Sequence, residues 1–269
     1  MRKIDLVEQK NILKEILASF HAFCQGKELT YYLTGGTLLG AVRHKGFIPW
    51  DDDIDVCMPR ADYEILLDSF NGTNNHLRVI SARDKEYYLP FAKIVDTETY
   101  MEEFVDSDFK LGVYIDVFPI DNMSDDYDTA YSLYRDVTKY RSVLTLKNIK
   151  ISNQRALYKN IVIGIGKIAL CLIPRAYIIR KIDEHSKRYD KAPTSYYVGM
   201  VCSAFYGERE ILKAEWFSGR CLLDFEGNKY WAPKGYDAFL TQLYGDYMQL
   251  PPVEKRVTHH DNTAWMMEY

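Results

Sequence analysis

The spacing of apolar residues divides the chain into predicted helices and strands. Residues 5–24 and 60–70 place apolar side chains three or four positions apart, which predicts amphipathic helices, and a short helix is predicted at 37–43. Short runs rich in β-branched and aromatic residues predict strands at 30–33, 54–58, 77–80, 91–95, 100–102 and 111–119, the last ended by Pro119. Strands and helices are interspersed along the chain, which indicates a globular protein that contains both kinds of element.

The middle of the chain changes to a helical and basic pattern. Residues 139–191 carry 13 Lys/Arg against 3 Asp/Glu, although the whole chain has a net charge of −4. The centre of this segment, 161–173, is apolar apart from Lys167 and two glycines. It is too short to span a bilayer, so we interpret it as a buried or interfacial helix.

These patterns predict three segments that form one integrated domain. A core segment spans 1–125, a helical basic insertion spans 126–191, and a C-terminal part of mixed character spans 192–269. The C-terminal part is expected to pack on this core.

Four carboxylates occur within five positions at residues 51–55, whose sequence is DDDID. Like charges repel, so folding alone gives little reason to place them together, whereas Mg²⁺ is held by carboxylate oxygens and substrate phosphates. Alternation in a strand places Asp53 and Asp55 on one face, which predicts a metal-binding pair. Asp51 shares their parity and is a third ligand or a support for the other two. Asp52 has the opposite parity and is predicted to cap a turn.

Two other interpretations of this acidic run fit the sequence less well. A solvated turn does not usually merge directly into a strand, as this run does at 54–58. A calcium loop would need a glycine where Val56 stands and a glutamate where Asp62 stands. We therefore retain the metal-binding strand.

A glycine turn precedes the short helix predicted at 37–43. Gly35 and Gly36 would let a phosphate approach the backbone closely, and the N–H groups at a helix N-terminus attract anions. Thr37 adds a hydroxyl at the first position of the helix. The turn is therefore a candidate phosphate site.

A further carboxylate, Asp116, stands alone between Ile115 and Val117 in a predicted strand. A carboxylate is costly to bury unless it is paired or bound to a metal. Asp116 is thus a candidate metal ligand or general base. A capping or strand-edge role is the alternative.

These elements, in this order, resemble the nucleotidyltransferase superfamily that includes DNA polymerase beta. The chain is more specifically similar to the LicD family, which also contains fukutin-related protein. The resemblance is carried by LTGGTLLGAVRH at 33–44, GFIPWDDDIDV at 46–56, PFAK at 90–93 and IDVFP at 115–119, with YGDY at 244–247 and PP at 251–252. It covers most of the chain, although 126–200 add little. It implies an α+β fold with a nucleotidyltransferase-like mixed β-sheet core flanked by helices. In such a fold 1–125 would be the catalytic core and 192–269 would complete the substrate cleft.

The resemblance also implies an activity. Members are similar in transferring a phosphorylated alcohol from a cytidine diphosphate donor to a sugar hydroxyl. Bacterial members of this size resemble phosphocholine transferases that use CDP-choline, act on teichoic acid or lipopolysaccharide sugars, and release CMP. On this basis Asp53 and Asp55 would hold Mg²⁺, or Mn²⁺ in its place. Asp116 would bind a second metal ion or deprotonate the acceptor hydroxyl.

Basic and aromatic residues are candidate substrate contacts. Single basic side chains are most often only solvated, so the phosphate contacts among them are hypotheses; these are Arg43, His44 and Lys93. An aromatic cage is the usual site for the permanent positive charge of choline. Its candidates are Trp50, Tyr87, Tyr88, Tyr114, Tyr230 and Trp231. The run 259–261 (HHD) is a further candidate phosphate or metal contact, with a flexible tail as the favoured interpretation.

The basic middle segment predicts contact with an anionic membrane leaflet that carries a lipid-linked glycan acceptor. A positively charged rim for a polyanionic acceptor, or simple solubility, is the alternative. Five widely spaced cysteines and the lack of a signal-peptide pattern at the N-terminus predict a cytoplasmic protein at the inner face of the membrane.

Several functional classes compete with phosphocholine transfer. A polyol-phosphate transferase that uses CDP-ribitol or CDP-glycerol would share the fold and the aspartates. A non-catalytic binding protein is a different class, and the three retained carboxylates count against it. The net charge of −4 disfavours a nucleic-acid partner.

Overall fold

The computed structural model describes residues 1–153, 155–191, 195–203, 205–257 and 262–268. The α-helices within these ranges are α1 Leu6–Gly26, α2 Gly35–His44, α3 Arg60–Ser69, α4 Tyr127–Asn148, α5 Leu157–Ala169, α6 Arg175–Ser186 and α7 Tyr236–Tyr244. The strands are β1 Arg2–Lys3, β2 Tyr32–Leu33, β3 Asp55–Pro59, β4 Leu77–Ile80, β5 Ala92–Asp96, β6 Thr99–Glu102, β7 Tyr114–Asn122, β8 Tyr197–Gly199, β9 Leu212–Lys213, β10 Arg220–Phe225, β11 Asn228–Pro233 and β12 Thr263–Met266.

The central sheet is mixed and has the strand order β2-β3-β7-β5-β4. Only β3 and β7 are parallel neighbours along this path, and the other pairs are antiparallel. Strand β8 extends the sheet by pairing with the end of β7 and with β9. Helices α1 and α3 pack on this sheet, which confirms the predicted α+β fold with a helix-flanked mixed sheet.

Strand β7 continues past its predicted end at Pro119 and reaches Asn122. The N–H of Asp116 donates to the carbonyl of Ile54, so even-numbered positions of β7 direct their N–H groups toward β3. The backbone nitrogen at position 119 therefore points away from β3. On that side of β7, the pairing with β5 ends at Val117 and the pairing with β8 begins at Asp121. A proline is tolerated there because no neighbouring strand needs its missing N–H.

Helix α1 shows why the sequence pattern predicts the helices well. Asp5 caps it by accepting a hydrogen bond of 2.8 Å from the N–H of Glu8. Its apolar side chains recur every three or four residues and are buried against the sheet; they are Ile12, Leu13, Ile16, Leu17 and Phe20. Burial of this stripe stabilises the helix, as expected for an amphipathic pattern.

The middle segment forms helices α4, α5 and α6, as predicted. Asp126 caps α4, and α4 packs on α6. Buried side chains from 1–125, 126–191 and 192–269 belong to one continuous apolar cluster. The proposed segment boundaries stay predictions. No helix within the described ranges is long and apolar enough to cross a bilayer.

Candidate active site

A cavity of about 640 Å³ opens beside the start of α2 and the first residue of β3. This volume suits a small-molecule ligand. One wall carries four carboxylates, those of Asp51, Asp53, Asp55 and Asp116. Asp52 does not line the cavity, and its backbone carbonyl accepts a hydrogen bond from buried Gln9. The predicted alternation of residues 51–55 is therefore present in the structure.

The central pair of carboxylates is positioned by the sheet. Asp55 and Asp116 are direct partners in the parallel ladder between β3 and β7. The backbone of Asp55 is fixed at both polar groups: its N–H donates to the Thr37 hydroxyl at 2.8 Å, and its carbonyl accepts from the N–H of Thr34 at 3.1 Å. Two side chains from distant parts of the sequence thus become neighbours.

The glycine turn brings the N-terminus of α2 against these carboxylates. A Cβ at Gly35 would lie 2.9 Å from Oδ2 of Asp55, and one at Gly36 would lie 2.7 Å from Oδ2 of Asp51. Gly35 also has a φ of +54°, which L side chains rarely adopt. The partial positive charge at the start of a helix stabilises nearby carboxylates. The two glycines therefore leave room for the carboxylates of Asp55 and Asp51 beside the start of α2.

The acidic wall carries an excess of buried negative charge. Burial and the neighbouring carboxylates of Asp53, Asp116 and Asp51 raise the pKa of Asp55 well above its usual value. Burial also raises the pKa of Asp116, and the ammonium of Lys93 offsets part of that rise. A cation bound at this wall would stabilise the ionised carboxylates.

Lys93 was a candidate phosphate contact, but the structure turns it toward Asp116. Its buried Nζ lies 2.5 Å from Oδ1 of Asp116 and 3.3 Å from the centre of the Tyr114 ring. Lys93 does not line the cavity. The pairing of β5 with β7 makes Lys93 a support for Asp116.

Three other candidate substrate contacts also lie away from the cavity lining. The hydroxyl of Thr37 is engaged by the N–H of Asp55. Arg43 donates from Nη1 to the carbonyl of Tyr247 at 2.7 Å and from Nε to Nε2 of His44 at 2.9 Å. These residues therefore hold the framework of the site. The other candidates, Gly35, Gly36, Trp50 and Asp51, line the cavity, and their role as substrate contacts stays a prediction.

The wall formed by the C-terminal part of the chain is apolar and aromatic. Tyr206 and Tyr244 join their hydroxyls at 3.0 Å, and their rings meet edge to face with centres 5.5 Å apart. Phe118 and Phe205 line the same cavity. The tyrosine pair lines the same cavity as Asp55 and Glu210. Burial raises the pKa of Tyr206, and the negative charges of Asp55 and Glu210 add to that rise.

Glu210 is a buried carboxylate in this aromatic surround, with 1% of the residue exposed. It accepts hydrogen bonds from the Tyr134 hydroxyl at 2.8 Å, the Ser203 hydroxyl at 3.2 Å and the N–H of Phe205 at 3.4 Å. Burial raises the pKa of Glu210, and these hydrogen bonds offset part of that rise. Arg141 holds the same loop through the carbonyl of Ser203.

Sequence reasoning missed this aromatic wall. Of the predicted cage residues, only Trp50 lines the cavity. The others pack elsewhere: Tyr87, Tyr88 and Tyr114 lie in a buried cluster beside Glu103, and Tyr230 and Trp231 contact His21. The YGDY word at 244–247 was the available signal for Tyr244, whereas Glu210 had no local signal. Residues 259–261, the other candidate contact, lie outside the described residues.

The donor set fits a two-carboxylate metal site better than a closed cage. No three Asp, Glu, His or Cys side chains in the described part of the chain are arranged to hold a metal ion together. Mg²⁺ usually needs only one or two protein carboxylates, because substrate phosphates and water complete its octahedron. Asp53 and Asp55 lie on the same wall and can supply them. Lys93 occupies one oxygen of Asp116.

Comparison with known proteins identifies the family. Residues 28–153 match the family described as LicD/FKTN/FKRP, nucleotidyltransferase domain. The chain is 32% identical over 274 residues to the lipopolysaccharide cholinephosphotransferase LicD of Haemophilus influenzae, covering 99% of this chain and 100% of that protein.

The chain belongs to the LicD family.

Shorter similarities involve two uncharacterized rickettsial proteins. One, from Rickettsia typhi, is 35% identical over 63 residues, which is 23% of this chain and 20% of that protein. The other, from Rickettsia prowazekii, is 40% identical over 50 residues, 19% of each chain. The predicted membership of the LicD family is therefore confirmed, and it rests on the full-length Haemophilus relative together with the family match over 28–153.

Proposed function

We propose that this protein transfers phosphocholine from CDP-choline to a sugar hydroxyl of a cell-surface glycan precursor, either lipopolysaccharide or teichoic acid, and releases CMP. The observation that carries the proposal is one cavity with two unlike walls. An acidic wall formed by Asp53, Asp55 and Asp116 faces an aromatic wall that contains the buried carboxylate Glu210. Similarity along the full length of the Haemophilus cholinephosphotransferase supports it.

The aromatic wall suits the choline end of the donor. Aromatic ring faces attract a quaternary ammonium, and the attraction increases when water is excluded. Tyr206, Tyr244 and Phe205 supply rings, and Glu210 supplies a negative charge that the surrounding hydrogen bonds keep in place. A neutral ribitol or glycerol lacks the positive charge that the ring faces and the carboxylate attract. The wall therefore favours choline over a polyol.

The acidic wall suits the diphosphate end. We assign Asp53 and Asp55 to a Mg²⁺ ion, or to Mn²⁺ in its place. When bound, such an ion would neutralise charge on the diphosphate and on the leaving CMP. The N-terminus of α2, behind Asp51 and Asp55, adds a favourable field for anions at the same wall.

The reaction is a displacement at the phosphorus that carries choline. The oxygen of the sugar hydroxyl forms a bond to that phosphorus, and the bond from the same phosphorus to the bridging oxygen breaks, so CMP leaves with the bridging oxygen. We assign Asp116 as the base that accepts the hydroxyl proton. Its alternative role is to bind a second metal ion. Lys93 orients Asp116 through one oxygen.

A donor comparison tests the proposal, and Glu210→Gln sharpens it. We expect CMP release from CDP-choline and not from CDP-ribitol or CDP-glycerol. Glu210→Gln keeps an acceptor oxygen but removes the charge, so affinity for CDP-choline should fall about tenfold, or ~1.4 kcal/mol. Affinity for CDP, which lacks choline, should not change. Thermal shift with each ligand measures both affinities, because a ligand that binds only the folded state raises its stability.

The matched control is Glu208→Gln, an exposed glutamate in the same short 3₁₀ helix, Gly207–Glu210. It should leave both affinities unchanged. Turnover of CDP-ribitol or CDP-glycerol in place of CDP-choline would establish the polyol-phosphate alternative. Binding of donors without CMP release, in the presence of Mg²⁺ and acceptor glycans, would favour a non-catalytic protein.

A methyl group at Gly35 tests the acidic wall. In Gly35→Ala, the new Cβ would lie 2.9 Å from Oδ2 of Asp55, so Asp55 must shift. The backbone at position 35 also has a φ of +54°, which is unfavourable for alanine. A misplacement near 1 Å reduces turnover by about 10²-fold. The measurement is CMP release from CDP-choline, with a thermal melt to show that the variant folds. Gly26→Ala, where nothing lies within 4 Å of the new Cβ, is the control. Full activity in Gly35→Ala would contradict the close approach.

We place the reaction in the cytoplasm, at the inner face of the membrane. The five cysteines carry free thiols, which suits a reducing compartment. A lipid-linked glycan precursor would present its sugar at that face.

A further inference from the structure

Helix α5 presents an apolar face to solvent. No residue of this helix is buried. Its outward positions recur every three or four residues and are apolar; they are Leu157, Tyr158, Ile161, Val162, Ile165 and Ile168, each more than half exposed. Leu172, in the turn that follows, is 90% exposed. A surface helix of a water-soluble domain normally turns such a stripe toward the core.

The inward face of α5 is the more polar one. Lys167 is directed toward the protein, where its Nζ pairs with Asp106 and donates to the carbonyl of Lys147 at 3.2 Å. Asn160 donates to the carbonyl of Ser152 at 2.7 Å. The helix is therefore held to the domain through these polar contacts and through the close approach of Leu146 to Gly166. Its apolar stripe lies on the opposite side, which is the inverse of a helix stabilised by core burial.

Basic side chains border the N-terminal end of this stripe. Lys150 and Lys159 are exposed, and Arg155 donates to the carbonyl of Lys150. None of the three forms an ion pair with a carboxylate of the described residues. Two further exposed apolar side chains, Phe104 and Ile151, lie beside Lys150. An apolar stripe edged by unpaired cations is complementary to a lipid leaflet with anionic headgroups.

We propose that the exposed face of α5, together with Leu172, lies in the interface of an anionic lipid bilayer. The apolar side chains enter the boundary between headgroups and acyl chains, and Lys150, Arg155 and Lys159 contact the phosphates. This membrane-docking face does not depend on the proposed activity, since it rests on exposure and charge alone.

The docking face connects to the cavity through α4. Leu146, near the end of α4, packs where α5 carries Gly166, and Tyr134, twelve residues earlier, donates to Glu210 in the cavity wall. At about 1.5 Å per residue, these two contacts are about 18 Å apart along α4.

Sedimentation of the full chain with vesicles tests the proposal. We expect binding to vesicles of phosphatidylcholine mixed with phosphatidylglycerol at low salt, and much weaker binding to phosphatidylcholine alone. The double variant Val162→Ser/Ile165→Ser should reduce the partition coefficient at least tenfold. Lys150→Glu/Lys159→Glu should abolish the preference for anionic vesicles. Both pairs are exposed, so neither change should lower the melting temperature.

Leu222→Ser is the matched control, because Leu222 is an exposed apolar residue on a different surface, the β10–β11 hairpin. It should bind vesicles as the parent does. Equal binding by the parent and by the Val162→Ser/Ile165→Ser variant would overturn the proposal. An absence of vesicle binding by the parent would also overturn it. If the parent then formed a dimer in sedimentation velocity and the Val162→Ser/Ile165→Ser variant did not, the face would be an interface between two copies.

Discussion

Asp55→Asn is expected to reduce the transfer of phosphocholine by on the order of 10³-fold, or about 4 kcal/mol. Asn keeps the size of the side chain and removes the charge that we assign to the metal ion. CMP release under saturating CDP-choline and Mg²⁺ measures the loss. Asp128→Asn makes the same chemical change on the exposed first turn of α4 and should be fully active.

The same substitution is expected to leave the folded protein at least as stable. Asp55 is buried, and the carboxylates of Asp53, Asp116 and Asp51 all disfavour its ionised form. Removing one of these charges relieves the repulsion, so the melting temperature should not fall. Added Mg²⁺ should raise the melting temperature of the parent and not that of the variant. A folded Asp55→Asn protein with near-normal turnover would refute the assignment.

Arg60→Ala is expected to lower the free energy of unfolding by about 3–5 kcal/mol, because it leaves a buried charge without its partner. Arg60 begins α3 and forms two hydrogen bonds to Asp121, from Nε at 2.6 Å and from Nη2 at 2.9 Å. The Asp121 side chain is completely buried, and burial raises its pKa to about 6 even beside Arg60. Denaturant unfolding followed by circular dichroism measures the loss.

Arg83→Ala provides the comparison. Arg83 also contacts two carboxylates, Asp68 at 2.5 Å and Glu64 at 2.6 Å, but its side chain is half exposed. Surface pairs of this kind contribute less than about 1 kcal/mol. If the two variants lost similar amounts of stability, burial would not be the reason for the Arg60 effect.

The Arg60–Asp121 pair also has a role in the geometry of the site. Asp55 and Asp116 are ladder partners, and each lies five residues before a member of the ion pair. Arg60 and Asp121 therefore lie one position beyond the last residue pair of the β3–β7 ladder. Their ion pair holds the two strands in the register that places the carboxylates of Asp55 and Asp116 side by side. A slip of one residue would turn one of them to the opposite face of the sheet. The sequence gives no local sign of this role.

The sequence predicts the acidic wall well because the relevant information is local. Alternation over residues 51–55 separates Asp51, Asp53 and Asp55 from Asp52, as expected for an extended backbone, although strand β3 itself begins only at Asp55. Asp116 stands out because a lone carboxylate among β-branched residues needs a reason. The glycine turn was predicted as a candidate phosphate site. In the structure Gly35 and Gly36 lie against the carboxylates of Asp55 and Asp51.

The basic candidates show where local reasoning fails. Lys93, Arg43 and His44 were chosen because cations can bind phosphate. A cation can equally pair with a neighbouring carboxylate or donate to backbone carbonyls, and only the packing decides. Lys93 faces Asp116 because β5 pairs with β7, a contact between segments separated by about twenty residues.

By itself, the sequence determined the α+β fold, the family, the identity of the carboxylates and the charge of the middle segment. These follow from periodicities and ordered words that are local along the chain. Tertiary structure decided which aromatic residues face the carboxylates and placed Glu210 among them. It also turned the apolar face of α5 outward. These outcomes depend on contacts between residues far apart in sequence, for which no local periodicity carries a signal.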